Sequence, residues 1–125
     1  MTTSQNDEDD ESWARTGLGI WAEGMTVEEI SHRLNQPGIQ KPGGNRWLFN
    51  LERSPDQRLD EQLASAADFL TENIEALRDI ARTCPVDIHI GWTPIKPQDG
   101  VRFTRRLLDL LDQLNADILI DTYTD

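Results

Sequence analysis

The sequence predicts an α+β domain with about four strands and with helices on one face of the sheet. Three observations predict it. Apolar and polar residues alternate in four short segments, the period of a half-buried strand. Between them run stretches whose apolar residues recur every three or four positions, the period of an amphipathic helix. Clusters of proline and glycine at 35–45 and 93–100 separate the two kinds of segment. A chain of 125 residues is one core's worth.

The elements follow in order. Residues 1–12 hold Asp7, Glu8, Asp9, Asp10 and Glu11 and almost nothing apolar, so a disordered acidic arm is expected there, with a single α+β domain over 13–125. Trp13 to Glu23 reads as the first strand. Leu18 and Ile20 share one face, Trp21 lies on the other, and Gly17 and Gly19 mark either a bulge or a close backbone approach. Thr26 followed by Glu29 is a capping box, with Met25 and Ile30 placed as a staple across it. Val27, Ile30 and Leu34 then form one helical stripe, which Asn35, Pro37 and Gly38 end. Arg46 to Glu52 is the second strand.

Ser54, Pro55 and Gln57 give a helix start, and apolar spacing continues from Leu59 to Ala81. One helix over 55–82 would be roughly 40 Å long at its fixed rise per residue. A domain this size has a radius of gyration of about 14 Å. A break is therefore expected near Thr71–Asn73, with Thr71 capping a second helix. Val86 to Trp92 is the third strand, apolar on one face and polar at Asp87, His89 and Gly91. Thr104 caps the next helix, and Ala116 to Tyr123 is the last strand, with Ile118 and Ile120 inward. The order gives two split βαβ halves related to the ferredoxin-like plan, with a helical insertion between them. If that insertion is two helices, the second half returns antiparallel to the first.

The spacing of several of these segments is distinctive when they are taken together. They are Thr26-Val27-Glu28-Glu29-Ile30 with Leu34, a proline-glycine loop before Trp47-x-Phe49, the Leu59–Leu77 region, Val86-Asp87-Ile88-His89-Ile90, and Ala116 to Tyr123. This resembles the bacterial domain of unknown function 4279 family across residues 13–125. The resemblance implies a fold. The family has no established activity, so it assigns no catalytic residue.

Composition narrows the partners. The formal net charge is −11, which repels phosphate backbones and anionic lipid, so neither nucleic acid nor membrane is an expected partner. The same charge would speed encounter with a basic protein. The lone cysteine, Cys84, permits no internal disulfide, and the acidic N-terminus is unlike a secretion signal. A cytoplasmic protein is expected.

Chemical constellations are weak. Asp87, His89, Asp117 and Asp121 are the best metal-ligand set and need the last two strands to be neighbours, but a solvated sheet face explains the same residues. No metal and no cofactor is expected. Cys84 reads as a small, partly buried hydrophobe, with neither histidine placed beside it in the sequence. Lys41, Gly43, Gly44 and Arg46 form a speculative anion-binding segment, although it precedes a strand and lacks the end of a P-loop. Arg102, Arg105 and Arg106 crowd a helix start against its dipole; a solvated face is the expected reading, with pairing to acids on a neighbouring element or service to a partner as the alternatives. Trp21, Leu48, Leu119 and Tyr123 are apolar exceptions on the outer sheet face and make a candidate interaction surface.

The function expected is a non-catalytic protein-interaction domain, an acidic inhibitor or immunity-like protein being one version. The alternative is a small-molecule-binding domain or minor enzyme with a pocket at the open sheet face or under the 35–45 loop. A homodimer through the outer apolar residues fits both.

Overall fold

A computed structural model describes residues 13–39, 44–52, 54, 57–93 and 100–123. The arm expected at 1–12 lies outside the described residues. The fold is α+β: the described residues form one four-stranded mixed sheet and four helices. The strands are β1 (Trp13–Trp21), β2 (Arg46–Asn50), β3 (Val86–Thr93) and β4 (Asp117–Thr122). The helices are α1 (Val27–Leu34), α2 (Leu59–Glu72), α3 (Ile74–Ala81) and α4 (Arg105–Gln113).

The sheet order is β2-β1-β3-β4. β1 pairs antiparallel with both β2 and β3, while β3 and β4 run parallel. Parallel neighbours need a crossover, and α4 supplies it. The two halves thus meet antiparallel, β1 against β3, as an insertion of two helices requires.

Alternation decides which face is covered. Leu18, Ile20, Trp47, Val86, Ile88 and Ile90 point inward and are buried, joined by Ile30, Leu34, Leu63, Leu70, Leu77, Ile80, Leu107 and Leu111 from the helices. Thr16, Gln62 and Ser65 are buried among these apolar residues. Gln62 on α2 is fully buried, and its amide donates to the Ala14 and Gln57 carbonyls, both at 2.9 Å. Its oxygen accepts the Thr16 hydroxyl at 2.8 Å, so the side chain is well satisfied and ties α2 to β1.

Local signals decide the helix starts. The Thr26–Glu29 capping box forms as expected. Thr104 likewise accepts from Leu107 N–H at 3.2 Å. Asn35 closes α1 at φ 54°.

Three local expectations are corrected. The second helical segment starts at Leu59, not at Pro55. There Glu61 accepts the Arg58 N–H at 2.8 Å, while Pro55 and Asp56 lie outside the described residues. The break falls at Asn73 as expected, but Thr71 does not cap α3; its hydroxyl bonds back to the Ala67 carbonyl at 2.7 Å. Strands β1 and β2 end at Trp21 and Asn50, two residues short of the expected ends. Among the described residues no helix is long and apolar enough to cross a membrane.

Candidate binding groove on the open sheet face

The outer face carries the other half of each alternation. On β1 that half is Trp13, Arg15, Gly17, Gly19 and Trp21. Strand register sets their neighbours. Gly17 lies between Asn50 and His89, and Gly91 pairs with Arg15 on one side and Asp121 on the other. Glycine at 17 and 91 removes two side chains from the middle of the sheet and leaves a trough.

The trough encloses about 210 Å³ and is half open to solvent. Trp13, Tyr123, Ile39 and Leu48 supply its apolar walls; Arg15, Asn50 and His89 supply polar groups. Trp13 and Tyr123 meet edge to face, with centroids 5.8 Å apart and planes at 73°. They lean over Gly91, where a Cβ would lie 3.4 Å from the Trp13 ring and 3.5 Å from Tyr123. A Cβ at Gly17 would meet only the Phe49 carbonyl, at 3.6 Å. The space above Gly17 is therefore open.

Ion pairs frame the trough. Arg46 from β2 reaches over Gly19 to Asp87 on β3, a path that any side chain at 19 would block. The Arg46 guanidinium also lies 5.0 Å from the centre of the Trp21 ring. His89 Nε2 and Asp121 Oδ2 are 2.8 Å apart at the β4 side. Arg15 lies over Trp13 at 5.3 Å, with Nε 3.8 Å from Glu52 Oε1. The Glu52 side chain is only 6% exposed, and its Oε2 has no hydrogen-bond partner among the described residues.

The residues singled out in the sequence divide accordingly. Trp21, Leu48, Leu119 and Tyr123 all lie on the outer face, and Leu48 and Tyr123 line the groove. Trp21 and Leu119 are exposed but are not among the lining residues. Trp13, Ile39, Gly17 and Gly91 complete the groove and were missed. Gly17 drew notice as a strand interruption, but its place beside His89 follows only from the β1–β3 register.

In the speculative anion segment, Lys41 and Gly43 lie outside the described residues, Gly44 precedes β2, and Arg46 is engaged by Asp87. Of the set Asp87, His89, Asp117 and Asp121, Asp87 is engaged by Arg46 and His89 by Asp121. Among the described residues no group of three or more His, Cys, Asp or Glu is placed to hold a metal ion. Cys84 is fully buried rather than partly so. Arg106 meets Asp68 on α2 at 3.0 Å, so for this arginine the alternative of an acid on a neighbouring element holds in place of a purely solvated face. A second hollow of about 370 Å³ opens beside Glu23, Arg82, Asn115 and Asp117. Its walls are mostly polar, which leaves an apolar ligand little to bury against.

Fold and groove together define a small α+β domain with one sheet face covered by helices and the other left open. The chain belongs to the family described as Domain of unknown function (DUF4279), whose model matches residues 18–125. The matched range begins within β1, so Trp13, Arg15 and Gly17 precede it. Searches of curated proteins and of solved structures found no match.

Proposed function

We propose that the chain is a non-catalytic protein-interaction domain that docks a basic polypeptide on its open sheet face, with one apolar side chain in the groove. The observation that carries this is the glycine-floored, aromatic-walled trough. Pockets for whole small molecules run from roughly 300 to 1,000 Å³. At about 210 Å³ the trough suits a single side chain better. Exposed aromatic rings beside it are the residue types enriched where proteins meet. A net charge of −11 favours a basic partner through steering and complementarity. An acidic inhibitor or immunity-like protein is one form this would take. The bacterial cytoplasm is the setting assigned, in keeping with the family resemblance and a lone, free, buried cysteine.

Gly17→Leu is the test. The position is extended and open above, so the leucine fills the trough and suits a strand better than glycine does. Affinity capture with the tagged wild-type chain should retain a stoichiometric basic partner that is lost with Gly17→Leu and weakened at high salt. A partner retained equally by both chains rejects the groove as the docking site. The second reading is a small-molecule site, favoured by the hydrogen-bonded His89–Asp121 pair at the trough's edge. A metabolite that shifts the Gly17 and Gly91 amides, with no protein captured, would establish it instead.

A further inference from the structure

The two edges of the sheet are finished differently. At β2, Ile39 exchanges two hydrogen bonds with Leu48, 2.6 and 3.2 Å long, and covers part of the strand's free side. At β4 no described residue pairs with the free side. The strand runs Asp-Ile-Leu-Ile-Asp-Thr in unbroken register with β3, with no bulge, proline or lysine. Those are the usual devices that keep an edge from recruiting another strand. Leu119 and Ile120 are 53% and 37% exposed.

The backbone is set up for recruitment. Tyr123 N–H bonds inward, to the Trp92 carbonyl at 2.9 Å. Amide groups alternate sides along a strand, so residues 117, 119 and 121 also bond toward β3. Ile118, Ile120 and Thr122 therefore aim their N–H and C=O groups at the open edge.

Side-chain charge selects the occupant. Asp117, Leu119 and Asp121 share the outer face, in an acid–apolar–acid pattern. A second copy pairing antiparallel about Leu119 would set Asp117 opposite Asp121. Like charges directly opposite are destabilising. A strand with Lys or Arg at those two positions would meet both acids.

We infer that β4 is a strand-addition site for a basic extended segment of another protein, one with three apolar residues between two Lys or Arg. This rests on the protein-binding reading above and names the partner's local chemistry. Main-chain hydrogen bonds would hold the segment, and Asp117 and Asp121 would select it.

The probe is a blocked peptide, Thr-Lys-Val-Leu-Val-Lys-Thr, with a Glu-for-Lys version as control, titrated into the 15N-labelled full chain. The expected result is shift changes and slowed amide exchange centred on Ile118, Ile120 and Thr122, with the Lys peptide alone. Binding should weaken at about 0.5 M salt. Asp117→Lys should weaken the Lys peptide by roughly threefold to fivefold and favour the Glu peptide. Ile120→Pro should abolish binding while β1 and β3 amides stay protected, because its N–H serves only the open edge. No response at β4 to either peptide overturns the inference, as does equal binding of both. Shifts at Gly17 and Gly91 without β4 would overturn it while sparing the groove reading. Protection of β4 by self-association of the free chain would assign the edge to a second copy.

Discussion

Gly38 shows how one residue can hold a loop onto a core. It sits at φ 62°, where a side chain is strained, and its backbone lies against the Trp47 indole. Trp47 is fully buried and donates its Nε1–H to Ser31 Oγ at 2.9 Å. Gly38→Ala would add backbone strain and push into the ring. It should cost upwards of about 1 kcal/mol, read as a lower urea midpoint at unchanged slope. Glu52 presents the reverse case. Its carboxylate is buried beside Arg15 with one oxygen unpartnered among the described residues, and such a group opposes folding more than an apolar one of similar size. Glu52→Met should raise stability by up to about 1 kcal/mol, visible as a higher Tm. Residue-level signals were legible where they act locally: Thr26 with Glu29, and Thr104. The burial of Glu52 was not, because it depends on the strand opposite.

At the scale of elements, α2 is fixed to β1 by Gln62 as well as by apolar packing. Gln62→Leu leaves the Thr16 hydroxyl without its acceptor and takes one donor from each of the Ala14 and Gln57 carbonyls. The expected cost is about 2–3 kcal/mol by chemical denaturation. Thr16→Val in the same chain should recover part of that loss, since the two side chains act as a pair. Helix α1 carries a pH-dependent element. The Thr26 backbone N–H, then its hydroxyl, hold Glu29 below the usual glutamate range. A lowered carboxylate pKa adds stability at neutral pH that is lost as pH falls through the lowered value. The Thr26 amide resonance should titrate in that acid window, and Glu29→Gln should remove the titration. Element types and order were readable from periodicity. The start of α2 was not, because Glu61 capping at Arg58 competes with a proline-led start that reads better on paper.

For the whole molecule, the class, the helix-covered face and the polar outer face were legible, because alternation states which side of a strand is wet. Strand order was not, and the groove depends on it. Asn50, Gly17 and His89 become neighbours only when β1 lies between β2 and β3. That central place for β1 has a further consequence for how the chain is made on the ribosome. β1 leaves the exit tunnel early, yet Trp13 must wait for Thr93 before its ladder closes. Until then the apolar side of Leu18 and Ile20 has only β2 and the first helices for company. A chain stalled before Val86 emerges should therefore generate little folding force in an arrest-peptide assay, with the force rising once β3 is clear. Folding at residue 70 would contradict this order. The acidic residues 7–11 just ahead of β1 would meanwhile keep an unfinished, apolar nascent chain in solution while its partner strand is being synthesised.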